Sequence, residues 1–183
     1  MLQAQEESRA LLMFQTLDRH VAGRVDSSAG AHDLYVQSRE RMQDWMSIPG
    51  NVTLFNAQLN PAQLAVLSWI TSMFFLTRAA SKYAARTRLV DFDEFLSTPR
   101  EYLSDYSAFL ELGLSAEQLQ AQWESVSGQY SKMPGRSFST QDRNDRIRAA
   151  MEKHGEVVQR ALGFAEQLIE RVPALEPVMP YLR

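Results

Sequence analysis

The chain has 183 residues, of which 45% are hydrophobic and 22% charged, and a formal net charge of −3. That length and composition suffice for one buried core, which predicts a single helical domain over residues 1–183. Cysteine is absent and only His20, His32 and His154 are present, which excludes disulfides, thiol nucleophiles and cysteine zinc sites, so neither a metal nor a cofactor is expected.

Glycine and proline are sparse and fall between periodic segments, which predicts an all-α fold. The opening MLQAQEESRALLMF places two glutamates before any apolar run. That is unlike a secretory signal, and a cytoplasmic setting is expected.

In chain order, a first helix is predicted over Gln3–Ala22. Ala10, Phe14, Leu17 and Val21 form its i, i+4, i+7, i+11 stripe, and Gly23 is its stop. A second spans Ala31–Met46, with Leu34, Tyr35, Met42, Trp45 and Met46 apolar and Pro49-Gly50 beyond its end. Residues 51–57 read as irregular; NVTLF has strand character but no evident partner.

Asn60-Pro61 is a helix start, with a capping side chain followed by a residue preorganised for the first turn. Nothing breaks the pattern before about Leu89, giving a central rod on the order of 40 Å long. Thr98-Pro99-Arg100-Glu101 opens a fourth helix that reaches Leu112 and stops at Gly113. Ser115 to Gln118 is a capping box for a fifth, ending near Val126.

Residues 127–140 read as a mobile loop. Ser139 caps a sixth helix to Arg171, whose stripe runs from Ile147 through His154 to Ile169. Pro173, Pro177 and Pro180 then mark 172–183 as a Pro-rich tail. The expected architecture is a six-helix bundle around the apolar helix 61–89, without significant sheet.

No charged residue occurs between Asp44 and Arg78. The continuous apolar part, Ala62–Thr77, is shorter than the roughly 20 residues of a bilayer span, so no membrane span is expected. It covers nearly the whole helix circumference, which predicts burial all round. Trp45, Phe55, Trp69, Phe74 and Phe75 are candidates for an interface with a protein partner or a second copy.

Past Thr77 the helix turns basic. Arg78, Lys82 and Arg86 form an i, i+4, i+8 ridge with Arg88 beyond it, and residues 91–124 then hold eight acids against Arg100 alone. The ridge is expected to pair with that acidic segment; phosphate or nucleic-acid binding is the alternative. Asp91-Phe-Asp-Glu94 lacks the spacing of a calcium loop and reads as a capping turn.

Two resemblances bear on function. Arg148 and His154 have the Arg-x(4–6)-His spacing of HEPN ribonucleases, which would make them a catalytic pair completed by a second subunit. Ala149 stands where that family usually has a polar residue, and six positions on one helix put the two side chains on different faces. The run Phe55-Asn-Ala-Gln-Leu-Asn-Pro61 before a long apolar helix resembles a stretch of tobamovirus-type rod-virus coat proteins. The Arg/Asp-rich helix start Gln141–Arg148 is similar to theirs as well. This resemblance implies an assembling helical subunit associated with RNA.

The reading that follows is a non-enzymatic helical interaction or assembly module, self-associating or docking on a partner protein through residues 45–77. A nucleic-acid-binding, coat-like subunit is the second reading and a ribonuclease the third.

Overall fold

The computed structural model describes residues 8–54, 58–128 and 139–183. Helix accounts for 74% of it, which places the chain in the all-α class. The described elements are β1 (Ala10–Phe14), α1 (Leu17–Val25), α2 (Ser28–Met46), α3 (Pro61–Lys82), β2 (Thr87–Asp91), α4 (Phe92–Ser97), α5 (Pro99–Phe109), α6 (Ala116–Ser127) and α7 (Thr140–Arg171), followed by a C-terminal 3-10 helix (Pro173–Tyr181).

The first expected helix divides. Ala10–Phe14 is a strand that pairs in parallel with β2, Ala10 opposite Thr87 and Phe14 opposite Asp91, and the helix starts only at Leu17. A run of five apolar residues satisfies a strand as well as a helix, and a strand partner 77 positions along the chain decides between them. The expectation of no significant sheet is corrected to this one two-stranded sheet among the described residues. A tight corner joins α1 to α2: a Cβ on Gly30 would stand 2.9 Å from the Arg24 carbonyl oxygen, so only glycine fits there.

α3 starts as expected. Asn60 and Gln63 exchange both bonds of a capping box, and Pro61 holds the first position. Its end is earlier than expected, at Lys82 rather than near Leu89. The Thr87 hydroxyl donates to the Tyr83 carbonyl oxygen at 2.9 Å and folds the chain back, freeing Thr87–Asp91 for the sheet. Arg86 therefore leaves the helical ridge. The segment expected as one helix over 98–112 is preceded by a separate helix, α4, which is capped by the Asp91 carboxylate accepting from the Asp93 and Glu94 amides. The Thr98-Pro99 step separates α4 from α5, because the residue before proline avoids helical backbone.

α1, α2, α3, α7 and the C-terminal helix share one core. Leu17, Trp45, Ile48, Leu67, Ile70, Met73, Val158, Leu175 and Val178 are among its fully enclosed side chains. The Pro-rich segment expected as a tail packs into that core through Leu175, Val178 and Leu182. α3 is the one described helix long and apolar enough to cross a membrane, and 61% of its most apolar window is buried within the chain itself.

A second, smaller core lies around Val90, Phe95 and Leu96, with Tyr102, Tyr106 and Trp123 against it. The Phe95 and Trp123 rings meet edge to face at 5.5 Å. α6 contributes no buried residue at all. The expected loop over 127–140 falls largely on residues 129–138, outside the described residues.

Candidate interaction surfaces

The apolar candidates separate by depth. Trp45 is fully enclosed, and its indole N–H donates to the Val52 carbonyl oxygen at 2.8 Å. Trp69 donates to the Gln15 carbonyl oxygen at 2.6 Å, and Phe74, further along α3, is buried as well. These three serve the chain's own core. Phe55 lies outside the described residues. Phe75 alone of the set is exposed, at 41%. Tyr35, Val36 and Met46 of α2 are exposed as well; of the apolar set expected there, α2 turns Leu34 and Trp45 inward and leaves Tyr35 and Met46 outside.

The basic candidates separate by partner. Arg88 pairs with Asp105 at 2.5 Å and lies over the Phe109 ring at 4.3 Å, on which Arg9 also rests at 5.7 Å. Arg88, which lies beyond the ridge, thus meets the acidic segment, but the pairing was expected of the ridge itself. At Arg78 and Lys82 it fails: among the described residues neither meets a carboxylate. Lys82 Nζ and the Arg86 guanidinium both stand over the Tyr83 ring, at 5.1 and 5.2 Å. The physical reason is the early end of α3, which turns the chain after Lys82 and carries Arg88 towards α5.

Arg148 and His154 are not brought together. Arg148 pairs with Asp145 at 3.0 Å in the first part of α7. His154 sits at a break in α7, where φ −116° and ψ 16° leave helical geometry, and its Nε2 lies 3.2 Å from Asp26 Oδ1. Lys153 donates to the same oxygen at 2.9 Å. These bonds from Lys153 and His154 hold the Asp26 carboxyl below its ordinary pKa. Beside His154 an open groove of about 420 Å³ runs between α3 and α7, past Asn60, Gln63, Val157 and Arg160.

The acidic cluster at the start of α4 is structural. Asp93 Oδ1 receives Arg143 of α7 and, at 3.1 Å, Arg19 of α1, tying the small core to the large one. Arg143 also covers the Phe92 ring at 5.1 Å. Nothing local in the sequence pointed to this clamp, because its members lie some 50 to 74 positions apart. His20 of α1 is partly exposed, but its Nε2 is sealed off without a partner. Burial, with Arg24 and Arg41 nearby, lowers its pKa to about 4.

Compared with known proteins, the chain matches no family model, no curated protein and no solved structure.

Proposed function

We propose that the chain is a non-enzymatic helical assembly module, which self-associates or docks on a partner protein in a cytoplasmic setting. The supporting observation is that large apolar side chains stay outside a core already filled: Tyr35, Val36 and Met46 on α2 and Phe75 on α3. Aromatic and Met side chains are the types enriched at protein interfaces. Most of residues 45–77 belongs to the core, so the docking surface is what remains exposed of it, Met46 and Phe75, extended by α2. Replacing Val36 and Phe75 together by serine is expected to weaken association in sedimentation experiments while the melting midpoint moves little. Undiminished association of that variant would count against the reading.

A second reading, nucleic-acid binding by a coat-like subunit, draws support from one observation. Arg78 and Lys82 carry charge that no carboxylate among the described residues offsets, so they remain open to phosphates. On this reading, log affinity for single-stranded RNA falls with log salt, and each lost phosphate contact flattens the slope by about 0.7.

A further inference from the structure

An open groove of about 490 Å³ between α5 and α6 is lined by the apolar Leu103, Leu119 and Ala121 and by the charged Glu117, Glu124 and Arg100. Glu117 and Glu124 are seven residues apart, so both lie on one face of α6. Ser115 donates to Glu117 at 2.7 Å and lowers its pKa, so this carboxylate is charged at neutral pH. α6 closes the groove while burying none of its own residues. Elsewhere on the molecule, Phe75, Arg78 and Lys82 stand at i, i+3 and i+7 on α3. Together they make one exposed face, an aromatic ring followed by two cations without carboxylate partners among the described residues.

We infer that the α5–α6 groove of one copy receives the Phe75–Lys82 face of α3 from a second copy of this chain. The inference rests on the self-association reading above and gives it a geometry. The groove lining sets apolar side chains beside two carboxylates against the one cation Arg100, and the α3 face is apolar at one end and cationic at the other. Along a helix, Arg78 and Lys82 are about 6 Å apart and Glu117 and Glu124 about 10 Å. Flexible arginine and lysine side chains span that difference. Within one chain the two surfaces are not paired, so each stays available.

The two surfaces are different, which makes the contact heterologous. Each copy keeps a free groove and a free face after one contact, so assembly continues past the dimer into rings or filaments. Because charge steers the contact, it weakens as salt is raised.

The test uses two full-length charge-reversed variants, Arg78→Glu/Lys82→Glu and Glu117→Lys/Glu124→Lys, with circular dichroism to check that each keeps its helix content. Should either lose it, the milder pair Arg78→Gln/Lys82→Gln and Glu117→Gln/Glu124→Gln replaces them, with loss of association as the readout. Wild type is expected to gain mass steadily with concentration, and each reversed variant alone to associate about tenfold or more weakly. Mixing the two reversed variants is expected to restore assembly, since opposite charges again face each other at every contact. Three results would overturn the inference: assembly that stops at a dimer, association unchanged in both variants, or a reversal on α3 that removes co-purifying nucleic acid while self-association persists. Association that persists in the variants leaves self-association itself standing, whereas a wild type that is monomeric throughout removes both.

Discussion

Trp69 combines the two demands that fix a residue in this core. Its ring is 4% exposed, and its indole N–H is satisfied by the Gln15 carbonyl oxygen just ahead of α1. Truncation to alanine removes the packing and leaves that carbonyl without its partner. Trp69→Ala is expected to cost about 3–5 kcal/mol, read from urea unfolding; an unchanged midpoint would contradict the placement. His20 gives a pH signature. With its folded pKa lowered to about 4 from 6.5, the unfolded chain binds the extra proton between those values. Stability is therefore complete above pH 6.5 and declines as pH falls towards 4, by an amount on the order of 2–3 kcal/mol. His20→Leu, which also removes the partnerless Nε2, should flatten unfolding free energy across that window. A slope unchanged in the variant would show that another group is responsible.

At the scale of elements, α3 and α6 are opposites. α3 carries a capping box and is buried along most of its length. α6 carries an equally complete capping box, Ser115 with Gln118, and buries nothing. Its local signals hold it helical, while little tertiary packing holds it in place. Hydrogen exchange should therefore show α6 amides opening at a much lower free energy than those of α3. Ser115→Ala should speed α6 exchange further while the global unfolding midpoint stays put. Equal protection of the two helices would contradict the loose attachment.

The same contrast explains what was legible in the sequence. Capping side chains act over three or four residues, so the starts of α3, α6 and α7 could be read from Asn60, Ser115 and Ser139. The strands could not, because Ala10–Phe14 and Thr87–Asp91 are defined by each other across the chain. Of the candidate surface, the basic ridge was legible as composition. Which of its cations find acids was not, since that depends on where α3 stops. The depth of Trp69 and Phe74 followed from the circumference of α3, but that left Phe75 indistinguishable from them, and Trp45 of α2 stood only as an interface candidate.

At the scale of the molecule, two cores of unequal size are joined by the Asp93 clamp, with apolar side chains left on α2 and α3 and a lightly held helix at α6. The central claim is that such a molecule assembles. Light scattering on a sizing column, with the ratio of absorbance at 260 and 280 nm recorded across the peak, tests it most directly. The account predicts a mass above the 20.9 kDa of one chain that rises with concentration, at a ratio typical of protein alone. A constant 20.9 kDa at every concentration would contradict it, and assembly found only in fractions with a nucleic-acid ratio would favour the RNA-associated reading instead.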